Sequence, residues 1–183
     1  MTDSIEAARV RELAIRFAAR QSREGLYFFD LIPSSIDDPE IDMRSTNLAV
    51  FDSGMQPGNV VFGVAEADLA RDPVRSKSIR DYLRSNGFGF ALMSAGIGAG
   101  SHSFQAVADF EPDYINLDQR LVQYFDQPVC APAISKLVRM AEKSGAHVIA
   151  EGVDRVRMVE NLWLLGVQLM EGHLFGEPAS QIT

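Results

Sequence analysis

The chain is nearly without cysteine. Its 183 residues include one, Cys130, so no disulfide can form within it. That fits a reducing compartment, and the cytoplasm is the expected location. Cys130 follows Pro128-Val129 and precedes a helical pattern, with no histidine near it in sequence. It reads as a packing residue, not a nucleophile. Long apolar runs are missing too: none approaches the ~18 residues of a membrane span. The N-terminus is charged and amphipathic, unlike a signal peptide. Positive charge is in deficit, with 17 Lys and Arg against 25 Asp and Glu, and the pI is near 4.8. A net charge of -8 disfavours nucleic acid and anionic membranes. It leaves room for a small anionic ligand in a local basic or dipolar pocket. Histidine is scarce, and His102, His147 and His173 lack metal-ligand spacing, so each reads as structural. No linker, repeat or low-complexity segment breaks the chain, which reads as a single domain over 1–183.

What is present is an alternation. Val10, Leu13 and Phe17 stand at helical spacing in a first helix over 5–20. "GLYFFDLIPSS" reads as a strand ended by Pro33, and 38–53 as a helix. After the turn "MQPGN" come the strand "VVFGVAE" and a helix with Pro73 in its first turn and Gly87 past its end. The strand "FGFALM" leads into the Gly-rich "SAGIGAGS", whose backbone N–H groups would suit a phosphate. "SFQAVADF" is a helix, "DYINLD" a strand, and 119–125 a short helix. "PAISKLVRMAEKSG" is a helix with an apolar stripe of Ile134, Leu137, Val138 and Ala141 and a stop at Gly145. Then come the strand "AHVIAEG", a helix capped by Asp154 and stopped by Gly166, and the strand "VQLMEG". Trp163 and Met170 occupy apolar positions and are expected in the core. Six short strands, apolar on both faces and alternating with helices, predict an α/β fold: an incomplete or modified (β/α) barrel.

In such a barrel the working groups sit at the C-terminal ends of the strands. Those ends carry Asp30, Glu66, Met93-Ser94, Asn116 with Asp118, Glu151 and Glu171. Carboxylates converging from distant segments ordinarily serve a divalent cation. The competing role is capping of the next helix, which is the reading preferred for Asp118 and Asp154.

These motifs resemble a known family. "VIAEGVD" followed by "LGVQLMEGHLFGEP" resembles the end of the EAL domain, the cyclic-di-GMP phosphodiesterase family, where the pattern runs roughly VIAEGVE and then LGCDxxQGYxFxxP. "FEPDYINLDQRLV" is similar to LPxDxLKIDRxFV, and "GFGFALMSAGIGAGSHSF" stands where members carry GVxLALDDFGTGYSSL. "QPGNVVFGVAEAD" resembles the stretch containing ExTE, and "LYFFDLIPSSIDDPE" the segment around VNLSP. The resemblance implies a modified α/β barrel in which two Mg or Mn ions activate a water that cleaves a phosphodiester.

Carried over residue by residue, most of that implied site is gone. The Asn of VNLSP is Asp30. The first Glu of ExTE is Gly63, and the second is retained as Glu66. The paired aspartates of DDFGTG fall on Met93 and Ser94. The Lys of LKID is Asn116, while its Asp remains as Asp118. The Glu of AEGVE remains as Glu151, the next Glu is Asp154, the Gln of QGY is Glu171 and its Tyr is His173. The expectation is therefore no diesterase activity, no cofactor and no tightly bound metal.

The segment that gives the family its name has no counterpart here, so the first barrel strand is expected to be lacking, in an excised piece or in a natural remnant. The strands "LYFFDLI" and "VQLMEG" would then flank a gap and offer an edge to a protein partner or a second copy, unless the first helix covers it. Three functional readings follow: a non-catalytic regulatory module acting through protein contacts, a metal-independent receptor for cyclic-di-GMP, and a fragment with no role of its own. Binding of cyclic-di-GMP is expected to be weak, because its two negative charges would meet carboxylates without their metals.

Overall fold

The computed structural model describes residues 2–22, 24–96 and 102–176. They group into two compact units, one up to Phe90 and one from Ala91 on. The Gly-rich run 97–101, the side chain of His102 and the end of "LFGEP" lie outside the described residues.

The first unit opens with α1 (Thr2–Gln21), then β1 (Tyr27–Asp30), α2 (Pro39–Asp42) and α3 (Arg44–Ser53). β2 (Val60–Ala65), α4 (Glu66–Arg71) and α5 (Pro73–Ser85) follow. β1 and β2 run parallel, with Tyr27 opposite Val60 and Asp30 opposite Gly63. β2 forms because a β-branched run with one aromatic can be covered on both faces, and Val60 to Val64 are all buried. Phe62 is the centre of this core. Its ring meets Phe88 edge-on at 5.4 Å and Phe29 at 6.2 Å.

Strand β3 (Gly89–Ala95) carries the chain into the second unit, with α6 (His102–Phe110), β4 (Tyr114–Leu117) and α7 (Gln119–Gln123). It finishes with α8 (Cys130–Ser144), β5 (His147–Ala150), α9 (Val156–Leu164) and β6 (Leu169–Met170). The sheet order is β1-β2-β3-β4-β5-β6, and each described pairing is parallel. This is the expected α/β order, with the six strands of the described residues added in sequence as in a (β/α) barrel, which has eight. α8 buries Ile134, Leu137, Val138 and Ala141, and Gly145 ends it in the left-handed conformation at φ 77°. Cys130 is buried at its start, as a packing residue would be.

Several local expectations are corrected. The Val10-Leu13-Phe17 stripe is exposed: α1 buries Arg11 and Ile15 instead and packs on α3. β1 ends at Asp30, before the expected Pro33, and the helix over 38–53 is divided at Met43. β2 ends at Ala65, so Glu66 stands just past the strand and also starts α4, a helix the apolar pattern did not disclose. Asp154 does not cap α9. The cap position is Arg155, without a side-chain bond, and Asp154 pairs with Arg155 at 3.1 Å. Trp163 is 67% exposed, because α9 buries Met158 and Leu162, and the residue after Leu162 lies about 100° further round the helix. Met170 is only half-buried.

Candidate functional site

In the second unit three adjacent strands deliver the expected residues. β4 and β5 pair with Asn116 opposite Ile149 and Leu117 opposite Ala150, and Glu151 is the next residue on. β3 meets β4 with one residue too many. Leu92 aligns with Ile115 but Ala95 with Leu117, so Met93 and Ser94 together oppose Asn116. This is a β-bulge, a device that re-aims side chains at strand ends. Ser94 takes φ 57°, a conformation uncommon for a residue with a side chain, and is exposed while Met93 is half-buried.

Asn116 sits at the centre of this group, 4% exposed. Its Nδ2 donates to Oε1 of Glu151 and, at 3.6 Å, to Sδ of Met93. The carboxylate is a strong acceptor and the thioether a weak one. The Oδ1 of Asn116 is buried with no hydrogen-bond partner among the described residues. One amide nitrogen thus meets both the half-buried glutamate and the thioether.

Beyond Glu151 opens a cleft of about 600 Å³, lined by Gln119, Gln123, Glu151, Gly152, Asp154, Glu171, Gly172, His173 and Gly176. Its walls are fixed through backbone. The N–H of Glu171 donates to the Ala150 carbonyl at 2.9 Å, and its own carbonyl accepts from Val153 at 2.9 Å. Gly172 follows at φ 150°, where a Cβ would stand 2.3 Å from the Val153 carbonyl oxygen, so only glycine fits. Gln123 Nε2 donates to the Gly152 carbonyl at 2.7 Å. Three carboxylates face this cleft, and no Lys or Arg is among its described lining residues.

Asp118 has the capping role. Its Oδ1 accepts from the Arg120 N–H at 2.8 Å at the start of α7, and its bond to the Arg120 side chain holds that guanidinium above its ordinary pKa. In the first unit, Asp30 ends β1 beside Gly63, is exposed, and is followed by a Leu31 N–H that donates to the Gly63 carbonyl at 2.8 Å. Glu66 stands half-buried at the first position of α4.

Sequence reasoning did not single out Gln119, Gln123, Gly152, Gly172 or Gly176 as site residues; His173, read as structural, also lines the cleft. Gln119 and Gly152 follow Asp118 and Glu151 directly, so distance from a strand end was the signal available for them.

The donor chemistry does not fit the two-metal centre that the motifs imply. Hard divalent cations take six or more oxygen ligands. Here the Glu151 oxygen is engaged by Asn116, and Met93 contributes a soft sulfur. Among the described residues no group of three or more His, Cys, Asp or Glu is placed to hold a metal ion. No described helix is long and apolar enough to cross a membrane.

Comparison with known proteins agrees with the motifs. The family model for the EAL domain matches residues 2–178. The curated cyclic di-GMP phosphodiesterase RocR of Pseudomonas aeruginosa is 33% identical over 129 residues, a match that covers 68% of this chain and 31% of RocR. The chain thus spans about a third of the length of that relative. A standalone EAL protein of Vibrio cholerae O395, solved in its c-di-GMP-bound form, superposes with a TM-score of 0.86 at 25% identity over 97% of this chain and 75% of that one. Klebsiella pneumoniae BlrP1, solved as a manganese and c-di-GMP complex at pH 6, shares the fold at a TM-score of 0.87 and 23% identity, over 96% of this chain and 45% of that one.

Proposed function

The chain belongs to the EAL domain family, and we propose that it is a cyclic-di-GMP receptor that binds the dinucleotide without metal and does not hydrolyse it. The observation that carries the reading is the Asn116–Glu151–Met93 group. A two-metal phosphodiesterase needs oxygen ligands and a cation beside the attacked phosphate. This chain has an amide and a thioether at those positions, and each lost electrostatic group of that kind costs about two to three orders of magnitude in rate.

Binding is a weaker demand than catalysis. The cleft, at about 600 Å³, is within the usual range for small-molecule sites. Guanine presents N–H donors as well as acceptor atoms. Carboxylates such as Asp154 and Glu171 suit the donors, and the Gln119 amide suits the acceptors. The Vibrio cholerae relative in its c-di-GMP-bound form supports the same ligand class. The phosphates are less well served. Their negative charges face Glu151, Asp154 and Glu171, so the affinity is modest and set by the bases.

The test is to incubate the purified chain with cyclic-di-GMP and excess Mg or Mn and to separate the products by chromatography. The expected outcome is intact dinucleotide. A linear product whose formation is lost in Glu151→Ala would show a working centre and overturn the reading.

A further inference from the structure

The exposed stripe of α1 has an order of its own. Glu6, Val10, Leu13, Phe17 and Arg20 follow one another at intervals of four, three, four and three residues, which is the seam of a helix made to pack on another helix. Val10, Leu13 and Phe17 are 62%, 67% and 53% exposed, and Glu6 and Arg20 are exposed at the two ends of the row. The stripe is not what holds the helix in its own unit. The opposite face does that, through buried Ile15 and through Arg11 Nε donating to Thr46 Oγ1 at 3.3 Å, and an exposed Arg16–Asp52 ion pair at 3.6 Å adds to it from the flank.

We propose that this face pairs with the same face of a second copy of the chain, antiparallel, about a two-fold axis at Leu13. The charges select this occupant. Glu6 and Arg20 lie seven residues on either side of Leu13. An antiparallel pair sets Glu6 of one copy level with Arg20 of the other, and the symmetry makes the contact twice. A parallel pair would stack Glu6 on Glu6 and Arg20 on Arg20. Between the charged ends, Val10, Leu13 and Phe17 of both copies close over the axis and leave water. The row spans about 21 Å at 1.5 Å per residue. The proposal is independent of the ligand reading, since the residues that line the cleft are in the second unit.

Sedimentation velocity of the full chain, from low to high micromolar concentration, tests it. The expected result is a concentration-dependent dimer. Leu13→Glu should weaken association roughly tenfold or more, as loss of a central apolar anchor does. Glu6→Arg alone should weaken it, and Glu6→Arg combined with Arg20→Glu should restore it. Both charge positions are exposed, so these variants keep the fold, which circular dichroism checks. Leu13→Cys should cross-link to its own copy under mild oxidation. A monomer at every concentration overturns the proposal, and is the result expected if some other segment covers the stripe. A dimer indifferent to Leu13→Glu, or a double charge exchange that restores nothing, overturns it as well.

Discussion

Asn116 carries more of the account than any other residue. It is neutral, buried in β4, and joined by one amide group to a carboxylate and a thioether. Replacing it by aspartate would press two carboxylates together in a poorly solvated place. Each would disfavour the ionised form of the other. Asn116→Asp is therefore expected to lower stability at neutral pH by about 2–4 kcal/mol, more than Asn116→Ala, which removes a hydrogen bond and leaves no like charge. Urea unfolding of the two variants checks the order, and an aspartate variant as stable as the alanine one contradicts it. Gly172 is the second decisive residue. A methyl group there would meet the backbone of Val153, which is itself bonded to Glu171 and Leu174. Backbone in the way cannot rotate aside as a side chain would. Gly172→Ala is expected to cost at least about 2 kcal/mol and to abolish ligand binding, because it displaces the cleft wall. Unaltered thermal unfolding and unaltered binding would contradict this.

At the scale of elements, the same reasoning applies to α1. Arg11 is 5% exposed, with one bond to Thr46 and its Nη2 buried without a partner among the described residues. Burial pushes the guanidinium pKa below its usual value, partly offset by Asp42 and Glu12. A buried cation so sparsely bonded contributes little stability, and an apolar residue of similar size is often as good or better. Arg11→Met is thus expected to leave the denaturation midpoint unchanged or raised. A loss above about 3 kcal/mol would show that the Arg11 contacts stabilise the helix after all. This helix also marks where the sequence was hard to read. Its apolar periodicity was correct for a helix but pointed to the wrong face, since the residues it buries are Arg11 and Ile15, and a buried arginine carries no hydrophobic signal. α8 was legible, apart from its first two residues, because its apolar stripe and its buried face coincide. In the second unit, Asn116 and Glu151 were legible as neighbours because β4 and β5 run parallel and end side by side. The bulge at Met93-Ser94 was not, because an extra residue in one strand leaves the apolar pattern of both unchanged. Nor were Gly172 and Gln123, whose roles depend on backbone approaching from β5 and its loop, a non-local fact.

For the whole molecule, charge sets the terms. The chain carries a net -8 and offers three carboxylates to the cleft, so a dianionic ligand approaches against the field. Added salt screens that repulsion. Binding should then strengthen as ionic strength rises, the reverse of a site built on Lys and Arg. The central claim is that the dinucleotide is held without metal, and one measurement addresses it most directly: isothermal titration of cyclic-di-GMP into the full chain in EDTA and again in excess Mg. The account predicts saturable binding with the same affinity in both. Binding that appears only with Mg and vanishes in EDTA would contradict it.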